Sequence, residues 1–171
     1  FGFTSNFTIS DSADSRNLIK TIIKEFQLDD KTYKPARIQS IISNAENSLV
    51  SPSMYAQNKD IMTYDNKAKI PLTKDIYARY VHRLKIGNSM DFDDLLYYTN
   101  CLFRDHPEIL EKYQNWSSFI LVDEYQDTNF AQYLVVKSLA EKHHKVCVVG
   151  DDAQSIYSFR GADISDILKF K

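Results

Sequence analysis

The stretch that decides the fold is Ser117–Val136, SSFILVDEYQDTNFAQYLVV. It is apolar from Phe119 to Val122 and then sets Asp123 and Glu124 side by side. A short apolar run bounded by polar residues reads as a buried strand, here Phe119–Asp123. A helix is expected over Thr128–Lys142. KVCVVG, Lys145–Gly150, reads as a second buried strand. Strand, helix, strand, with each strand apolar on both faces, is a βαβ unit with parallel strands.

Ligands of parallel sheets bind beyond the carboxyl ends of the strands. Asp123-Glu124 ends the first strand and Gly150-Asp151-Asp152 ends the second, so both polar groups are expected on one rim. Two adjacent carboxylates can divide their work. One can hold Mg²⁺, which takes oxygen ligands and commonly one or two carboxylates. The other can orient or deprotonate a water. An apolar strand ending in Asp-Glu thus has the form of a Walker B element. The competing reading gives Asp123, Glu124 and Asp127 only a capping role at the positive end of the next helix. Asp127 and Thr128 are assigned to that role.

The second rim segment is VVGDDAQSIYSFRGAD, Val148–Asp163. Gln154 is a neutral side chain able to contact a terminal phosphate or its attacking water. Tyr157 and Phe159 stand beside Arg160, and rings next to a cation are how proteins hold single-stranded nucleic acid without reading its sequence. The alternative places both rings in a core and Arg160 in a surface ion pair.

Upstream the pattern is helical. Asp11 or Ser12 caps a first helix whose face is Leu18, Ile19, Ile22, Ile23 and Phe26. Pro35 opens a second, with Ile38, Ile41, Ile42, Ala45 and Leu49 on one stripe, ending before Ser51-Pro52. Pro52 opens a short helix through Gln57. Residues 58–71 show no periodicity and read as a surface loop. Thr73 is expected to cap a helix bearing Ile76, Tyr77, Tyr80, Val81 and Leu84, with Gly87 ending it. Asp91–Arg104 forms another helix, capped by Asp91, and a short one runs from Pro107 to Gln114. The domains expected are a helical part over residues 1–115 and the edge of an α/β domain over 116–171.

The two rim segments, ILVDEYQDTNFAQY and VVGDDAQSIYSFRGAD, resemble motifs II and III of the UvrD/PcrA/Rep-type superfamily 1 DNA helicases. MDFDDLL, Met90–Leu96, is similar to a further stretch these proteins carry upstream. The resemblance covers essentially the whole chain. It implies a predominantly helical α/β fold: a helical insertion subdomain followed by two strands of a RecA-like P-loop NTPase sheet. It implies that Asp123 serves Mg²⁺ bound to ATP, that Glu124 is the catalytic base, and that Gln154 senses the γ-phosphate. Tyr157, Phe159 and Arg160 would then lie along the single-stranded DNA path or in its coupling to the ATP site. Many relatives carry tryptophan where Phe159 stands; phenylalanine still stacks, with less area. Asp93 and Asp94 receive no catalytic assignment.

The implied activity is ATP-driven movement on single-stranded DNA and duplex unwinding in repair or replication. The implied partners are single-stranded DNA, single/double-strand junctions and the other motor domains of a parent chain. Two alternatives stay open: the motor of a recombinational-repair helicase-nuclease, and a non-catalytic helical module that binds DNA or protein.

A phosphate-cradling loop needs G-x-x-x-x-G-K-[ST]. The 4 glycines are Gly2, Gly87, Gly150 and Gly161, and none has a second five residues on. That loop is expected upstream of Phe1, in keeping with a start that lacks methionine and a last segment, GADISDILKFK, that reads as an interrupted helix. The 171 residues carry a formal net charge of −2, so no global field draws in nucleic acid and any anion site must be local. No apolar run nears the ~18 residues of a membrane span. Cys101 and Cys147 read as buried reduced thiols, which fits a cytoplasmic protein. His143-His144 reads as a solvated helix end, Tyr77/Tyr80 and Tyr97/Tyr98 as core or subdomain surface, and Lys67 and Lys69 as part of a solvated loop. Trp116 is expected to pack at the junction between the helical part and the sheet.

Overall fold

The computed structural model describes residues 1–151. The chain divides into two compact units, Phe1–Leu95 and Leu96–Lys171, with the division inside one helix.

The first unit is built of helices. α1 (Ser12–Glu25) starts at Asp11, whose Oδ1 accepts the N–H groups of Ala13 at 2.7 Å and Asp14 at 2.8 Å. Those groups lack intrahelical partners, so the cap stabilises by about 1 kcal/mol. α2 (Pro35–Asn47) begins with proline, whose missing N–H costs nothing there. It ends two residues before Leu49, which turns into the left-handed region at φ 56°. α1 and α2 bring Ile19, Ile22, Ile23, Ile38 and Ile42 into one core with Ile76, Tyr77 and Tyr80 of α5 (Thr73–Ile86). Each such side chain, fully buried, stabilises by roughly 1.5–3 kcal/mol. The tyrosines are buried because their hydroxyls find acceptors: Tyr77 donates to the Val50 carbonyl at 2.9 Å and Tyr80 to Asp91 Oδ2.

Two expectations change here. Most of residues 58–71 is helix rather than loop: α3 (Pro52–Gln57) is followed at once by α4 (Lys59–Lys67), capped by Asn58, with a turn after it. Its inward residue is Asp65, 1% exposed, which accepts the Tyr55 hydroxyl at 2.8 Å. A polar residue on the buried face erases the apolar period that marks a helix. Thr73 does not cap α5; its hydroxyl donates back to the Ile70 carbonyl at 2.7 Å, and Leu72 holds the cap position. Gly87 does end α5, but the left-handed residue is Asn88, at φ 47°. β1 (Thr8–Ile9) and β2 (Ser89–Met90) pair in parallel as a two-stranded ribbon.

α6 (Phe92–Asp105) passes from the first unit into the second. Asp91 caps it as expected, its Oδ1 accepting the Asp94 N–H at 2.8 Å. In the second unit α7 (Pro107–Trp116) precedes β3 (Ile120–Val122), a 3₁₀ turn (Tyr125–Asp127), α8 (Phe130–Ala140) and β4 (Val146–Val148). Gln114 of α7 donates to the Ser138 carbonyl of α8 at 2.7 Å, and His143 Nε2 donates to the Gln114 carbonyl at 3.0 Å. His143 is thus a tie between two helices rather than a solvated end.

β3 and β4 are parallel and adjacent, as the apolar runs require. Their faces are not both buried. Leu121 and its register partner Cys147 are exposed, Leu121 at 75%. Both cysteines are free thiols, but only Cys101 is buried. Trp116 is 81% exposed and does not pack as expected; its ring lies 6.2 Å from that of Tyr113. Parallel sheets are normally covered on both faces; here Ile120, Val122, Val146 and Val148 are half-buried, and the face of Leu121 and Cys147 stays exposed among the described residues.

Candidate functional site

The register Ile120↔Val146, Leu121↔Cys147, Val122↔Val148 brings both strands to their carboxyl ends together. The pairing runs on past the strands. Val149 N–H donates to the Val122 carbonyl at 2.8 Å, and Tyr125 N–H to the Val149 carbonyl at 3.0 Å. Asp123-Glu124 and Gly150-Asp151 therefore share one lip.

Asp123 and Glu124 are both exposed. Asp123 Oδ1 accepts the Glu124 N–H at 2.9 Å. Glu124 takes a left-handed backbone, φ 51° and ψ 39°, which costs a non-glycine residue about 1–2 kcal/mol. The bonds on either side of Glu124, from its own N–H to Asp123 Oδ1 and from the Tyr125 N–H to the Val149 carbonyl, hold it there. Below it lies Gln126, 2% exposed. Its Nε2 donates to Glu124 Oε2 at 2.5 Å and its Oε1 accepts the Asp151 N–H at 3.0 Å. One buried amide thus joins the acidic pair to the segment after β4. It also explains Gly150: a Cβ there would stand 2.6 Å from Gln126 Oε1 and 3.3 Å from the Gln126 backbone nitrogen.

Capping of α8 falls to neither Asp127 nor Thr128. Asn129 and Gln132 form a reciprocal capping box, each side chain accepting the other's N–H at 2.9 Å. The Thr128 hydroxyl donates to the Tyr125 carbonyl at 2.7 Å instead. Asp127 Oδ1 is buried without a hydrogen bond among the described residues.

Asp123 Oδ2 and Glu124 Oε1 make no hydrogen bond among the described residues. An exposed pair of carboxylates with free oxygens suits a hard cation and a polarised water. Gln154, Tyr157, Phe159 and Arg160 lie outside the described residues.

All 171 residues match the family model of the UvrD/REP helicase N-terminal domain. The chain belongs to that family. It is 46% identical over 170 residues to the ATP-dependent DNA helicase PcrA of Bacillus subtilis (strain 168), covering 99% of this chain and 22% of that protein. Identity is 43% to PcrA of Staphylococcus aureus (strain Mu50 / ATCC 700699) and 41% to PcrA of Leuconostoc citreum, with the same coverage. The chain thus spans about a fifth of the length of these curated relatives, 22% in each case. The mostly helical structure with two small parallel sheets is consistent with a UvrD/REP N-terminal α/β region. No helix among the described residues is long and apolar enough to cross a membrane.

Two residues of this UvrD/REP chain escaped the reading of its sequence. Gln126 sits in a 3₁₀ turn, where neither the helical nor the strand period applies. Glu46 is 2% exposed. It follows Ile38 and Ile42 at four-residue steps, so its place on the core face of α2 was visible, and a charge on such a face is the informative exception.

Proposed function

We propose that this chain is part of an ATP-driven DNA helicase, carrying one wall of its nucleotide site. The observation that carries the proposal is the lip: two parallel strands ending together, with exposed Asp123 and Glu124 tied through Gln126 to Asp151. Family membership and the printed names of the relatives support it.

In this reading residues 1–115 are the helical insertion subdomain and residues 116–171 part of a RecA-like motor domain in a cytoplasmic protein. Asp123 would hold Mg²⁺, which supplies charge neutralisation at the nucleotide phosphates when bound. Glu124 orients the attacking water and takes its proton. Gln126 is a positioning residue: it fixes Glu124 Oε2, leaves Oε1 for the water, and ties that carboxylate to the segment entering motif III. Gln154 reads the γ-phosphate, and Tyr157, Phe159 and Arg160 hold single-stranded DNA by stacking and charge.

The test is Glu124→Gln in the longer protein that carries this segment. Hydrolysis falls by about 10²–10⁴-fold, the usual worth of a positioned base, while nucleotide and DNA affinity are kept. Turnover at the parental rate would remove Glu124 from the role.

A further inference from the structure

The first unit holds a second set of carboxylates, unrelated to the lip. Glu46 lies in the last turn of α2, Asp91 caps α6, and Asp93 and Asp94 occupy the first turn of α6. Glu46 is 2% exposed, Asp94 3% and Asp91 8%, while Asp93 is half-buried. One oxygen each of Glu46, Asp91 and Asp93 can be chosen so that all three lie within 4.8 Å of one another.

The hydrogen bonds leave this group short of positive charge. Asp91 accepts the Asp94 N–H at Oδ1 and the Tyr80 hydroxyl at Oδ2. Asp94 Oδ2 accepts the Asp91 N–H at 3.3 Å, and Asp93 Oδ1 accepts Asn47 Nδ2 at 2.9 Å. Both oxygens of Glu46 are sealed from solvent without a hydrogen bond among the described residues. The ion pairs among the described residues lie elsewhere: Arg83–Glu25, Arg104–Asp105, His106–Glu108 and Lys142–Glu111. A buried carboxylate is stable in a fold only when it is paired, neutralised or bound to a metal.

We propose that Glu46, Asp91 and Asp93 bind one hard divalent cation, which joins the end of α2 to the start of α6. All three donors are hard oxygens, as such an ion requires. Calcium fits best. Its ligands stand about 2.3–2.6 Å away in flexible geometry, so opposite oxygens can be as far apart as these are. Magnesium needs a tighter octahedron of about 2.0–2.1 Å. Asp93, half-buried, provides the route in and room for water ligands, while Glu46 closes the inner side. Asp94 stays outside the coordination set: the three carboxylates whose oxygens converge are Glu46, Asp91 and Asp93, and Asp94 Oδ2 accepts the Asp91 N–H instead.

The experiment uses the 171-residue chain, freed of metal with EDTA and dialysed. Calorimetric titration with CaCl₂ is expected to give one site per chain, with Kd of about 10⁻⁵–10⁻³ M, the weak end of the range that ligand charge count and site rigidity set. Thermal unfolding should shift upward in the same concentration range. Manganese, followed by electron paramagnetic resonance, should bind with the same stoichiometry and be displaced by calcium. Glu46→Gln, an uncharged replacement of equal size, should abolish binding. Asp93→Asn, at a half-buried position, should weaken it at least tenfold and decides the matter if the Glu46 variant does not fold. Asp123→Asn should leave the site intact. No binding up to 5 mM (about fivefold above the weakest Kd in that range), binding retained in both cluster variants, or binding lost in Asp123→Asn would overturn the assignment. The first of these outcomes would mean that the cluster is neutralised by protons alone.

Discussion

The molecule carries acidic groups in two places and treats them in opposite ways. At the end of β3, Asp123 and Glu124 stand in solvent on a left-handed turn, and a neutral amide holds the second of them. At the start of α6, Asp91 and Asp94 are buried with Glu46, against a tyrosine hydroxyl and backbone N–H groups. The lip keeps its charges hydrated, so they are available to a ligand without a burial penalty. The helical cluster has given up water and must recover the loss from protons or a cation. A charge kept for chemistry and a charge kept inside a fold are therefore told apart by exposure and by what approaches them.

The largest effect expected from breaking this contrast is on hydrolysis in the longer protein. Glu124→Gln lowers it by about 10²–10⁴-fold, whereas Glu46→Gln, in the first unit and no part of the lip, leaves turnover close to the parental rate. Steady-state turnover of the two variants checks both.

The next largest effect concerns pH. Burial, with the neighbouring Asp91, raises Asp94 to about 7, and burial with Asp91, Asp94 and Asp93 raises Glu46 well above the usual carboxylate range. Burial also raises Asp91. A raised carboxyl binds its proton more tightly in the folded state. Its stabilising contribution is fully present below the unfolded value near 4 and is lost as pH rises through the folded value. In EDTA, the metal-free chain should become more stable on acidification from pH 7.5 to about 5, by the order of 2–4 kcal/mol. Denaturant titrations across that window measure it. Glu46→Gln flattens the profile. A chain that instead loses stability steadily over the same window would contradict this assignment of protons.

Gly150→Ala comes third. The added methyl drives the Gln126 amide away from Glu124 and Asp151, breaking two hydrogen bonds below the lip. The expected loss is about 1–3 kcal/mol, read by chemical denaturation. A Gln126→Ala background should absorb most of that loss, which tests the tie itself.

The smallest effects separate true caps from carboxylates that resemble them. Asp11→Ala and Asn129→Ala should each cost about 1 kcal/mol. Asp127→Ala should cost less than about 0.5 kcal/mol, since Asp127 caps nothing. Thermal unfolding of the three variants ranks them.

Much of this was legible in the residues. The four-residue steps of Ile19, Ile23, Ile38 and Ile42 marked two helical faces, and all four side chains are buried. Two apolar runs gave two adjacent parallel strands, and with them the shared lip. The losses have common physical causes. α4 was hidden because its buried face carries Asp65, satisfied by Tyr55. Gln126 and the caps at Leu72 and Asn129 depend on turns whose geometry no period encodes. Leu121 and Cys147 were expected inside because apolar strands are ordinarily covered on both faces; that expectation describes a whole sheet, and two strands are what the described residues supply.

The lip as a nucleotide site carries the function proposed for this chain. A crystal structure of the longer protein with Mg²⁺ and a non-hydrolysable ATP analogue tests it. The expected result is an Asp123 oxygen in the Mg²⁺ shell, directly or through one water, and Glu124 within reach of a water in line with the γ-phosphate. Gln126 should still bridge Glu124 and Asp151. Nucleotide bound elsewhere, with Asp123 and Glu124 facing bulk solvent, would contradict the proposal.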